Sequence, residues 1–226
     1  MTYFAKQYFE ETGREEHLNQ KPGIPSAEQL EEGFGMGDYE TLMIFAKEIS
    51  ESDELIQAAL KNPWLSKNMT FFDGMNCGEI YRTVETCRAL GIDYDYDLLL
   101  DRLVSDMEEK TDVMQRLALL TVVCRLNSDF ELDIPISDGS DFIEDAENRL
   151  RAAFDGRELM SYNIFEYFVL TQALGVPRGI TENEAAMWFE SFRCDDGAFG
   201  LLMSSTQGEP NGIMAAIRLS DDFGVP

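Results

Sequence analysis

Phe192-Arg193-Cys194-Asp195-Asp196-Gly197-Ala198-Phe199-Gly200, then Gly208-Glu209-Pro210-Asn211, then Ala215-Ala216-Ile217-Arg218-Leu219, decides how this chain is read. Before it lies a one-sided apolar stripe over 182–192, opened by Thr181-Glu-Asn-Glu184, a capping-box pattern. After it, 209–220 is apolar around most of its circumference. The stretch is therefore a tight turn between an amphipathic helix and a buried one. Gly197 or Gly200 is expected at positive φ, where the chain reverses. Asp196 is expected to satisfy turn N–H groups. Phe199 is expected to wedge between helices. Glu209 is expected to meet the unpaired N–H groups and positive dipole of the helix that follows.

The same alternation runs backward through the chain. Segments 38–49, 78–90, 112–126 and 162–174 are strongly apolar, whereas 53–62, 95–109 and 141–154 carry a single stripe. Ser26-Ala-Glu-Gln29 opens a further short helix. Gly91 and Gly175 each end a buried helix, in ALGID and ALGVP, and stand two periods of about 42 residues apart. Gly78-Glu79 to Arg88 matches Gly208-Glu209 to Arg218, and each pair follows an Asp-Gly, Asp73-Gly74 or Asp196-Gly197. A helix pair cannot cover its own apolar faces, so its neighbours must. Fully apolar helices alternating with amphipathic ones fit two concentric layers. The expected fold is all-α: one α/α toroid domain over 1–226 with about five helix hairpins, its barrel small, incomplete or completed by a second chain.

Composition narrows the function. The chain has 226 residues, 44% of them hydrophobic, with 43 acidic against 18 basic side chains and a net charge of -25. A chain this apolar builds a core. Its acidic surface repels nucleic-acid phosphate, so no nucleic-acid partner is expected. No apolar run approaches the roughly 20 residues that span a bilayer. The N-terminal stretch lacks a basic start followed by an apolar one, so a cytoplasmic protein is expected. The single histidine, His17, is remote from the apolar segments, which disfavours His-based triads and metal sites. The four cysteines form no CxxC and are expected as reduced, buried thiols.

The turn and its flanking helices resemble the repeat of the protein prenyltransferase β-subunits and terpenoid cyclases, closely over 182–220 and more loosely over 60–92. The resemblance implies an α/α toroid handling isoprenoids. It does not carry the chemistry across. Asn211-Gly212-Ile213 occupies the place of the prenyltransferase zinc-binding Asp-x-Cys, so no zinc is expected. Asp93, Asp95 and Asp97 do not form the Asp-x-Asp-Asp of the cyclases. Asp141, Glu144 and Asp145 share a helix face and would hold magnesium only if the chain were an enzyme. Asn76-Cys77-Gly78-Glu79-Ile80 resembles the Cys-Gly-Glu-Gln of thioester domains, but Ile80 has no carboxamide to form that bond.

What remains is a lumen. Its lining is expected to be aromatic and sulfur side chains, among them Tyr81, Phe165 and Met214. Its mouth lies where the inner helices begin, at Glu79, Arg82, Tyr162, Asn163, Glu209 and Asn211. Arg82, Arg88, Arg116, Arg125 and Arg218 on the apolar helices call for an acidic partner or an anionic ligand. The favoured function is a non-catalytic toroid, without cofactor, that binds an apolar small molecule (isoprenoid or fatty acyl) or a partner protein. The alternative is an isoprenoid-handling enzyme or enzyme subunit with a divergent active site.

Overall fold

A computed structural model describes residues 23–70, 76–109, 112–136 and 140–225. His17, the N-terminal stretch and the Asp73-Gly74 copy of the turn lie outside the described residues. Among the described residues the fold is helical, with two isolated antiparallel bridges and no strand. The expectation of an all-α chain holds. In order the helices are α1 (Ala27–Glu32), α2 (Asp38–Ile44), α3 (Ala46–Ser50), α4 (Asp53–Lys61), α5 (Pro63–Thr70) and α6 (Cys77–Leu90). Then come α7 (Tyr96–Glu109), α8 (Val113–Phe130), α9 (Ser140–Asp155), α10 (Ser161–Leu174), α11 (Glu182–Glu190) and α12 (Pro210–Phe223). Two compact units divide between Arg102 and Leu103, within α7.

In the first unit α1 packs on α4, α3 on α4 and α6, and α2 on α5 and α6. Ser26 opens α1 with the expected reciprocal capping box to Gln29. The apolar segment 38–49 is not one helix. It breaks at Phe45 (φ -106°, ψ 16°), and no glycine or proline there explains the break. Helix α5 is an addition to the expected set, although Asn62-Pro63 is a cap followed by an N1 proline. Asn62 is fully buried and holds the unit together at one point. Its Oδ1 accepts from the N–H groups of Trp64 (3.0 Å) and Leu65 (3.3 Å). Its Nδ2 donates to the Leu30 carbonyl and to Asp38 Oδ1, both at 3.0 Å. Asp38 also accepts from Phe34 N–H at 2.6 Å. One side chain thus satisfies donors and acceptors on α1, α2 and α5.

In the second unit α10 is central, packing on α8, α12 and α9. From Ser161 to Thr171 nearly every side chain of α10 is buried, Tyr162 and Val169 excepted. The sequence reading of α8 and α10 as apolar all round is correct. For α12 it is not: among its described side-chain positions, 211–223, only Gly212, Ala215 and Leu219 are buried, one stripe at spacings of three and four. Gly91 (φ 66°) and Gly175 (φ 65°) end α6 and α10 in the same left-handed way. After each, the next residue donates to the carbonyl five positions back, Ile92 to Cys87 and Val176 to Thr171. This is the closing bond of a Schellman end.

Candidate functional site

Helices α10 and α12 begin side by side, fastened by the turn between α11 and α12. Ser161 donates its N–H to the Leu201 carbonyl (2.9 Å) and its hydroxyl to the Gly200 carbonyl (2.9 Å). Leu201 N–H donates to Glu209 Oε2 at 2.7 Å, and Ser205 Oγ donates to the same oxygen at 2.5 Å. These bonds, the Ser205 hydroxyl first, hold the Glu209 carboxyl below its ordinary range. Glu209 therefore serves the turn, and it makes no side-chain cap to α12, contrary to expectation. The carboxyl of Asp196 accepts from Gly208 and Ala198 N–H, as expected, and is likewise lowered. Gly197 takes the positive φ (83°), whereas Gly200 does not. Phe199 packs its ring 5.4 Å from Phe189 and under the Arg193 guanidinium at 4.6 Å.

Asn163 stands at the other side of this junction. Its Oδ1 accepts from Met160 N–H (3.2 Å), satisfying a free donor at the start of α10. Its Nδ2 donates to Glu166 Oε2 at 2.9 Å. The sequence reading does not single out Glu166, which is only 6% exposed. Burial pushes its carboxyl up to about 7, against a lowering by the Asn163 amide. The signal was a lone Glu in YNIFEYFVL, a run otherwise too apolar to show which side faced water.

The other expected residues fall as follows. Tyr162 is half-buried with its ring 5.4 Å from Phe165, which is buried and packs edge-on to Phe223. Asn211 is exposed and Met214 half-buried on α12. In the first unit Glu79 closes a capping box with Asn76 at the start of α6. Tyr81 is buried. Arg82 is exposed, with its guanidinium 5.2 Å over the Tyr39 ring. Tyr39 in turn donates its hydroxyl to Glu85. Among the other arginines of interest, Arg125 and Arg218 pair with acids four residues on, Asp129 and Asp222. Arg116 lies over the Phe142 ring. Glu79 sits three residues into α6, while Glu209 immediately precedes α12. The matched Gly-Glu pairs thus stand three residues out of register in their helices.

A second polar node ties α10 to α9 and the loop before α11. Tyr167 OH donates to Glu147 Oε1 at 2.5 Å, which also accepts from Gly179 N–H at 2.7 Å. Arg178 closes the far end of α10, donating to Thr171 Oγ1 and Glu182 Oε1, both at 3.1 Å. Its guanidinium lies 4.6 Å from the Phe168 ring and 5.2 Å from that of Phe223. A shallow depression of about 370 Å³ opens there, floored by Thr171, Gly175 and Arg178. Among the described residues no three His, Cys, Asp or Glu side chains group as a metal site, and no helix is long and apolar enough to cross a membrane.

The cysteines are free. Burial pushes the Cys87 thiol up to about 12 and Cys124 to about 11. Cys194 is raised by burial and then by the Asp196, Glu209 and Asp195 carboxylates. Cys77, half-exposed in the first turn of α6, is the accessible one. A neutral thiol reagent at pH 8 is expected to label Cys77 first, and Cys87 and Cys124 only after denaturation. Early labelling of Cys87 or Cys124 in the native protein would contradict this packing.

Comparisons with protein-family models, with curated proteins and with solved structures returned no match for this chain.

Proposed function

We propose that this chain is a non-catalytic α/α toroid that takes up an apolar ligand, an isoprenoid or fatty acyl chain, at the end where its inner helices begin. The observation that carries this reading is apolar exposure at that end. Met160 is 39% exposed, Leu202 43% and Ile213 37%, on a chain of net charge -25. Met160 and Leu202 face each other across an isolated bridge, and Ile213 lies in the first turn of α12. Exposed apolar side chains that gather at one end mark a contact surface. The non-catalytic part rests on how the polar groups there are spent. Asn163 satisfies a backbone N–H at a helix start, and Glu209 holds a turn.

Apolar burial of the ligand contributes roughly 25 cal/mol per Å². Farnesyl, geranylgeranyl or long fatty acyl compounds are therefore expected to raise the melting temperature, and short polar metabolites are not. Replacing Met160 and Leu202 together by serine should remove that rise. If no lipid stabilises the protein and native mass spectrometry instead finds a stoichiometric protein partner, the surface is a protein-docking one. If neither is found, the reading fails.

A further inference from the structure

Resting on the reading of Met160, Leu202 and Ile213 as a ligand surface, we propose that the ligand is a free long-chain fatty acid whose carboxylate is held by Arg157. Arg157 closes α9 in a left-handed conformation (φ 58°). Its N–H donates to the Phe154 carbonyl, and the next residue, Glu158, donates to Ala153 five positions back. Gly91 and Gly175 end α6 and α10 with the same pair of bonds. A glycine takes that conformation without steric cost, whereas an arginine does not. The chain has a glycine one position earlier, Gly156, yet the left-handed position falls on the arginine. Strain of this kind collects at functional positions.

The Arg157 side chain is also uncommitted. It is exposed, and among the described arginines of the second unit it alone makes no ion pair, side-chain hydrogen bond or ring contact. Arg125, Arg149, Arg151, Arg178, Arg193 and Arg218 pair with acids, and Arg116 lies over Phe142. The acids beside Arg157 do not claim it: Asp155 is exposed, and Glu158 lies 3.7 Å from Arg149 instead. Arg157 precedes Met160 by three residues, so their Cα atoms lie within about 11 Å. Met160 in turn bridges to Leu202. A cation without a partner thus stands beside exposed apolar side chains at the start of α10.

Charge selects the ligand. A guanidinium holds a carboxylate through two parallel N–H···O bonds. A neutral isoprenoid or fatty alcohol would leave Arg157 unused. A diphosphate would bring several negative charges next to Asp155 and Glu158, on a chain of net charge -25, with one free described guanidinium to meet them. A monocarboxylate matches that single cation, and its acyl chain supplies the apolar area that Met160 and Leu202 would cover.

The test uses the full chain with palmitate and 1-hexadecanol, which share one chain length, at pH 8, where the carboxylate is ionised. Titration calorimetry should give wild type roughly tenfold tighter binding of palmitate, the worth of one charge-assisted pair. Arg157→Gly should weaken palmitate about tenfold and leave hexadecanol unchanged. Without ligand that variant should melt no lower than wild type, because glycine suits the position, so the loss cannot come from unfolding. Arg157→Gln keeps side-chain polarity, removes the charge, and should lose the preference equally. Equal binding of palmitate and hexadecanol to wild type, or an undiminished preference in either variant, would overturn the role of Arg157 while leaving the apolar surface standing. Binding of neither compound would overturn both.

Discussion

Gly212→Ala is expected to destabilise the second unit by about 3 kcal/mol or more, the cost of forcing extra volume into fixed surroundings. A β-carbon at Gly212 would stand 2.4 Å from the Gly200 carbonyl oxygen, 2.5 Å from its carbon and 2.6 Å from the Phe199 oxygen. All three atoms are backbone, so no rotamer change relieves the clash. That backbone cannot retreat cheaply either. Gly200 N–H is bonded to Phe192 O, Glu209 N–H to Phe199 O, and the Gly200 carbonyl holds the Ser161 hydroxyl. Relief therefore means pulling α12 off the turn and giving up those bonds. In a chain of this size the loss corresponds to a melting point about 6 to 12 °C lower. Gly78→Ala is the control. Its β-carbon would meet only Asn76 Oδ1, at 3.3 Å, inside a helix where alanine is favoured. A Gly212→Ala variant within about 1 kcal/mol of wild type in denaturant unfolding would refute the close approach of α12 to the turn.

The difference between these two glycines marks how far the sequence could be read. Apolar periodicity is a local property, so it placed α4, α7, α8, α9, α10 and α11 to within a few residues. Ser26, Gly91 and Gly175 set helix ends through bonds to residues three to five positions away, equally local. The Gly-Glu match between 78–79 and 208–209 was local too. It misled because identical letters took different helix positions, Glu79 inside α6 and Glu209 ahead of α12. The close crossing at Gly212, the burial of Glu166 and the junction at Asn62 are set by partners distant in sequence. No periodicity encodes which apolar face meets which. For the same reason α12 looked apolar all round but buries a single stripe: Ile213, Met214 and Ile217 had the composition for a core, but among the described residues they are only partly covered or exposed. At the candidate site, Asn163 and Glu209 were legible as residues at helix starts. Their partners Glu166, Leu201 and Ser205 were not.

In the first unit the largest expected effect comes from Asn62→Asp, a change of one atom type at a fully buried position. The new carboxylate would keep the acceptor role toward Trp64 and Leu65 N–H. It would lose the amide protons that now go to the Leu30 carbonyl and to Asp38 Oδ1, each 3.0 Å away. Asp38 is itself only 4% exposed, so two carboxylates would face each other out of water. Two such groups cannot both ionise there, so one must take a proton and its equilibrium rises well above the ordinary carboxylate range. At pH 7 or above, the unfolded chain would release that proton freely while the folded chain could not. The expected loss is about 3 to 5 kcal/mol, the range for an uncompensated buried charge. As the pH falls through about 4 the unfolded chain takes up the proton as well, and the protonated carboxyl introduced at position 62 can again donate one hydrogen bond to Asp38 or Leu30. The loss should then shrink to about 1 kcal/mol, that of a single missing hydrogen bond. Asn62→Ala separates the two contributions. It leaves Leu30 O, Asp38 and two N–H groups without their partner but adds no titrating group, so its cost should change less with pH than that of Asn62→Asp. Denaturant unfolding of all three proteins at pH 4 and pH 8 tests this. Equal losses for Asn62→Asp at the two pH values would mean that Asp38 and the side chain at position 62 do not share one buried site.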